Sequence, residues 1–175
     1  MPVPKAARKT LVIGYGSPIR GDDAIGPLVA DLLEAEGPPA GVTVISRHIL
    51  TADLVPDIAA NDLVLFLDAA ANGEAGEVRC RPLAPDAAAP SSMAHFLDPR
   101  ELLAWAQALY GRVPETYVVS VAGASFDYAG YQLSPAAEAA VGPMLKRVRA
   151  LITARPPSAP PQDGPAAGSA SVQAE

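Results

Sequence analysis

Residues 10–16, TLVIGYG, form an uncharged run of β-branched and apolar side chains that ends in glycines. Such a strand has no polar face, so it fits only a sheet covered on both sides, the setting of a parallel strand in an α/β domain. It is expected to be the first strand and central in the sheet. After a polar turn, Ile25, Leu28, Val29, Leu32 and Leu33 recur at helical spacing, with Asp22 or Asp23 available as N-cap and Gly37-Pro38 as the stop. Residues 42–46 and 62–67 read as two further strands, separated by a short helix over 52–59.

Residues 77–81 carry charges that suit an edge strand better than a sheet centre. Asp98-Pro99-Arg100-Glu101 supplies a cap, a proline at the first helical position and an acid at the third. The helix it opens continues through Leu102, Ala106, Leu109 and Tyr110 to Gly111. A strand over 116–121 follows. Ser134-Pro135 then opens a last helix with a stripe of Val141, Leu145, Val148, Leu151 and Ile152, which Pro143 is expected to kink. This alternation predicts one doubly wound α/β domain over residues 1–154, a mostly parallel sheet with helices on both faces. Residues 155–175, rich in Pro, Ala, Gly and Ser, lack apolar periodicity and are expected to form a disordered tail.

With half of its 175 residues apolar, the chain can bury a core without staples. Its single cysteine, Cys80, excludes an internal disulfide framework, and no stretch approaches the roughly 20 apolar residues that span a bilayer. A cytoplasmic protein with no membrane partner is expected. The formal charge of -6 points away from nucleic acid.

The densest chemical signal joins the first strand to the first helix, from Gly14-Tyr15-Gly16-Ser17 through Arg20-Gly21-Asp22-Asp23 to Gly26. Ile19 stands where the third glycine of a dinucleotide fingerprint belongs, two carboxylates would repel a pyrophosphate, and the Gly-Lys-Ser/Thr ending of a Walker loop is missing. Capping a helix takes one aspartate, which leaves the other to explain. Asp68 directly follows the strand at 62–67 and is expected at the C-terminal sheet edge, where doubly wound sheets bind ligands. His95 lies on a patternless loop over 82–97. Two carboxylates and one imidazole converging there would suit a first-row divalent metal.

His48, after the second strand, can reach the same edge as a substrate contact or a solvated turn residue. Cys80 reads as a small hydrophobe, since no histidine stands in clear relation to it. The serine-hydrolase G-x-S-x-G and the zinc-protease His-Glu-x-x-His are both absent. An acid pair with Asp68 also fits a phosphoacceptor receiver domain, but the lysines, Lys5, Lys9 and Lys146, are not at the end of the 116–121 strand where such a domain needs one.

Taken together, these residues resemble the hydrogenase maturation endopeptidase family, in which G-x-G-N-x-x-x-x-D-[DE]-x-x-G follows the first strand. The resemblance runs from about Leu11 to about Ile152 and includes Ser-Met-Ala-His95, Gly123-Ala124-Ser125-Phe126 and Gln132-Leu133-Ser134-Pro135. It implies an aspartic-type, metal-dependent endopeptidase that removes the C-terminal extension of a hydrogenase large-subunit precursor. Asp23, Asp68 and His95 match the family's metal ligands and catalytic residues, and the nickel is expected to arrive within the precursor. Asp22, His48, Gly123, Ser125 and Phe126 are the candidates for gripping the substrate. A nickel carrier or chaperone without protease activity is the competing reading. Ser17 replaces the family's usual asparagine, and Asp23 is one methylene shorter than the commoner glutamate. Arg47-His48-Ile49-Leu50-Thr51 replaces a glycine-rich segment and looks like the branch serving soluble NAD-reducing or related hydrogenases.

Overall fold

A computed structural model describes residues 8–89, 96–128 and 131–154. The expected tail over 155–175 and His95 lie outside these residues. Five strands form one sheet: β1 (Thr10–Tyr15), β2 (Val42–Arg47), β3 (Leu63–Ala70), β4 (Val78–Pro82) and β5 (Glu115–Ala122). Their order is β2-β1-β3-β5-β4, with β4 antiparallel to β5 and the other neighbours parallel. The uncharged run of β1 is an interior strand as expected, but the centre belongs to β3, whose Leu63 to Leu67 are fully buried. The charged edge strand is β4, where Cys80 packs partly buried against the core as a small apolar side chain.

The helices are α1 (Ile25–Ala35), α2 (Val55–Ala60), α3 (Pro99–Tyr110) and α4 (Pro135–Thr153). Alternation along β1 and β3 divides the core in two. Val12, Leu63, Leu65 and Leu67 meet α1 and α4 on one face, whereas Leu11, Ile13, Val64 and Phe66 meet α2 and α3 on the other. Each large side chain so enclosed contributes about 1.5–3 kcal/mol, so the two layers hold the sheet from both sides. The domain is the α/β, mostly parallel arrangement predicted.

Several local expectations are corrected. Neither Asp22 nor Asp23 caps α1: residues Gly21–Ala24 form a 3-10 turn, and Ala24 takes the cap position without a side-chain bond. A second 3-10 turn, Ala52–Leu54, occupies the start of the expected 52–59 helix and leads into α2. The caps read for the later helices hold, since Asp98 accepts from Arg100 N, Ser134 accepts from Ala137 N, and Gly111 closes α3 in the left-handed region at φ 64°. On α4 the buried stripe is Ala137, Ala140, Met144, Leu145 and Val148, while Val141, Leu151 and Ile152 lie on its flank. Pro143 sits inside this helix, which is continuous from Pro135 to Thr153. Among the described residues no helix is long and apolar enough to cross a membrane.

The helix of the first β-α unit comes unusually close to the sheet. A Cβ on Gly26 would lie 2.3 Å from the Leu67 carbonyl oxygen and 2.7 Å from that of Tyr15, backbone atoms that cannot swing aside. Gly26→Ala is expected to cost about 1–3 kcal/mol, the usual penalty for overpacking, read as a lower denaturant midpoint with unchanged m-value.

Candidate functional site

The β1–α1 loop is built around a buried carboxylate. Asp22 is 0% exposed, and its oxygens accept from Ala124 N (2.7 Å), Ser125 N (3.1 Å), Ser134 N (2.6 Å) and Ser134 Oγ (2.7 Å). Its own N–H donates to the Ser125 carbonyl at 2.9 Å. Gly21 permits this approach, because it holds φ 54° and a Cβ there would lie 2.6 Å from the same carbonyl oxygen. Burial acts to raise the Asp22 pKa, but the donors from Ser134, Ala124 and Ser125 outweigh it and hold the carboxyl below its ordinary value. Asp22 therefore offers no exposed surface to a substrate. It ties the first loop to the segment that joins β5 to α4.

With Asp22 turned inward, Asp23 faces the other way. Asp23 Oδ2 accepts from Ser17 N at 2.8 Å and lies 4.0 Å from Arg20 Nη1. Serine at position 17 thus holds the acid through its backbone, a contact that any side chain at that position leaves intact.

Asp68 does not follow its strand but belongs to it, since β3 continues to Ala70 and pairs Asp68 with Ser120 of β5. Tyr15 Oη donates to Asp68 Oδ2 at 2.7 Å, and Ala69 N donates to Oδ1 at 2.7 Å. Desolvation nevertheless dominates. It pushes the Asp68 carboxyl up to about 7 against both hydrogen bonds, with the charges of Asp23 and Asp98 adding to the rise. Tyr15 is held well above its usual range by burial and by the Asp68 charge.

Asp23, Asp68 and His48 line one cleft of about 530 Å³ at the C-terminal edge of the parallel strands. This is the position at which open α/β sheets bind ligands. Among the described residues no three His, Cys, Asp or Glu side chains are grouped tightly enough to hold a metal ion, and the third expected ligand, His95, lies outside them. Gly123, Ser125 and Phe126 stand beside the cleft rather than in its wall. The Phe126 ring covers Gly123, and Ser125 is engaged with Asp22.

The structure adds residues that sequence reasoning passed over. Tyr15 ends a buried strand, and nothing in the sequence marks the carboxylate that its hydroxyl meets. Arg20 lines the cleft with its guanidinium 5.2 Å from the centre of the Tyr128 ring, and its Nε is buried without a partner among the described residues. Asp98, besides capping α3, reaches the same cleft; burial would raise its carboxyl, but the bonds from Arg100 hold it below the ordinary value. Phe96 and Tyr128 place exposed aromatic surface in the cleft lining.

No protein-family model matches the chain, and no curated protein sequence matches it. Comparison with solved structures does yield matches across most of its length. The NiFe hydrogenase maturation protease HycI of Thermococcus kodakarensis superposes with a TM-score of 0.67 at 22% identity, over 84% of this chain and 94% of that one. Hydrogenase maturation proteases thus stand among the structural neighbours of this chain across most of its length. The hydrogenase maturating endopeptidase HybD of Escherichia coli gives 0.66 at 24% identity, over 82% and 91%. The hydrogenase 2 maturation peptidase of a Thaumarchaeota archaeon gives 0.61 at 25% identity, over 83% and 99%. A hydrogenase 3 maturation protease matches as well, so no branch is singled out. The likeness is one of fold, and it agrees with the resemblance read from the loop motif.

Proposed function

We propose that this chain is an endopeptidase that removes the C-terminal extension of a nickel-loaded hydrogenase large-subunit precursor in the cytoplasm. The observation that carries the reading is the pairing of Asp23 and Asp68 in one cleft at the C-terminal sheet edge, on the fold shared with the maturation proteases. Their carboxylates offer oxygen donors from the 3-10 turn that follows β1 and from β3, its neighbour in the sheet. An imidazole would complete a set suited to a first-row divalent ion. His95 is our candidate for it, supported by its immediate neighbour Phe96, which lines the cleft.

The described residues hold no serine or cysteine paired with a base in this cleft, so the protein's own groups act by binding and orientation. Nickel carried by the precursor supplies Lewis acidity beside the scissile bond. Asp23, fixed by Ser17 N, and Asp68, fixed by Tyr15 and Ala69, anchor the loaded centre. Arg20 and His48 lie along the same walls for contacts with the peptide, and Phe96 and Tyr128 offer apolar surface to it. A substrate recognised by docking in this way excludes generic proteins such as casein.

Purified protein mixed with nickel-loaded precursor is expected to shorten it by one C-terminal fragment, followed by mass spectrometry, while nickel-free precursor stays intact. Equal cleavage of both would overturn the metal-gated reading. Cleavage of neither would leave the carrier reading, in which the same carboxylates bind nickel without hydrolysis.

A further inference from the structure

Tyr15 closes β1 directly beside Asp68 on β3, on the face that carries α2 and α3. Its ring meets Phe66 edge-on, with centroids 6.3 Å apart and planes at 86°, and Phe66 is fully buried. The phenol is therefore fixed by the core, and its hydroxyl stands 2.7 Å from Asp68 Oδ2. The other oxygen, Oδ1, is held at 2.7 Å by the N–H of Ala69. One bond to each oxygen fixes the carboxylate plane and leaves each oxygen a second lone-pair direction.

We infer that Tyr15 is a positioning residue that sets the orientation in which Asp68 presents its oxygens to nickel. This rests on the proposed function, in which Asp68 is a ligand, and extends it to a residue of the same cleft that acts on the metal through Asp68. Ala69 alone cannot do the same work, because its N–H belongs to the residue adjoining Asp68 and leaves Oδ2 free to swing. Groups that orient a ligand from behind typically account for about 10–100-fold in metal affinity. Tyr15→Phe removes the hydroxyl and keeps the ring against Phe66, which separates orientation from packing.

The full-length protein and its Tyr15→Phe, Tyr15→Leu and Asp68→Ala variants should be titrated with nickel(II) chloride by calorimetry, with thermal unfolding monitored alongside. Tyr15→Phe is expected to bind nickel about 10–100-fold more weakly while unfolding as a single cooperative transition. If packing alone mattered, Tyr15→Phe would retain wild-type affinity and only Tyr15→Leu would lose it. Wild-type affinity in Tyr15→Phe together with lost binding in Asp68→Ala overturns the inference and leaves Asp68 a ligand. Wild-type affinity in Asp68→Ala removes the ligand assignment, and the role of Tyr15 falls with it.

Discussion

Asp22→Ala is expected to lose about 3–5 kcal/mol of folding stability, because it strips the acceptor from three backbone N–H groups and one hydroxyl that converge on it. The carboxylate itself is fully enclosed, so its removal also leaves a polar void where the two segments meet. The loss should depend on pH in a defined direction. A carboxyl held below its ordinary value in the folded state contributes stability that is present above the unfolded pKa, about 3.9, and disappears as pH falls through the folded one. The gap between wild-type and variant chains should therefore be widest at neutral pH and narrow in acid. Urea titrations at pH 7 and at pH 3 test this, and a difference below about 1 kcal/mol at pH 7 would mean that Asp22 is dispensable for the loop.

Asp68→Asn is expected to move stability the opposite way while removing function. Its folded carboxyl sits at about 7, roughly three units above the ordinary value, so the protonated form is the favoured one in the folded protein. The associated stability is complete below about pH 3.8 and is lost as pH rises through about 7. At pH 8 the wild-type chain carries an anion that its surroundings disfavour. A neutral isostere should then be more stable by about 2–4 kcal/mol, the lower end allowing for the partial exposure of the side chain. The gain should vanish near pH 4, while cleavage of nickel-loaded precursor falls at least ~100-fold for want of a charged oxygen donor. Denaturant midpoints at both pH values, with a cleavage assay at pH 8, measure both effects. An Asp68→Asn chain less stable than wild type at pH 8 would show that the anion is well accommodated and that no stability is given up for function here.

The fold was readable because its signals are short-range. The uncharged strand at β1, the Asp98-Pro99 and Ser134-Pro135 helix starts and the stop at Gly111 each act within a few residues, and each stands where the pattern put it. The reading weakened where a neighbour distant in sequence decides the outcome. Asp22 follows a turn and precedes a helix, the usual context of a cap, yet its partners come from residues more than one hundred positions away. Asp68 looks like the residue after a strand because polarity ends an apolar run, whereas pairing with β5 carries β3 three residues past Leu67, to Ala70. The convergence of Asp23 and Asp68 on one sheet edge was legible from the α/β alternation alone. Tyr15 was not, because a tyrosine in an apolar strand gives no sign of which strand its hydroxyl will meet.

The sheet order also dictates a sequence of events while the chain is being made. β3 and β4 are consecutive in the chain but do not pair, because β5 is wedged between them. Until residue 122 has left the ribosome, the far side of β3 is an open, apolar edge and β4 has nothing to pair with. The nascent protein must keep that gap free of its own misplaced strand and of other chains, then admit a single late element that pairs with both neighbours at once. Because the loop holding Asp23 is fastened to residues just beyond that strand, a chain halted in mid-synthesis has most of its sheet but not the scaffold of its site.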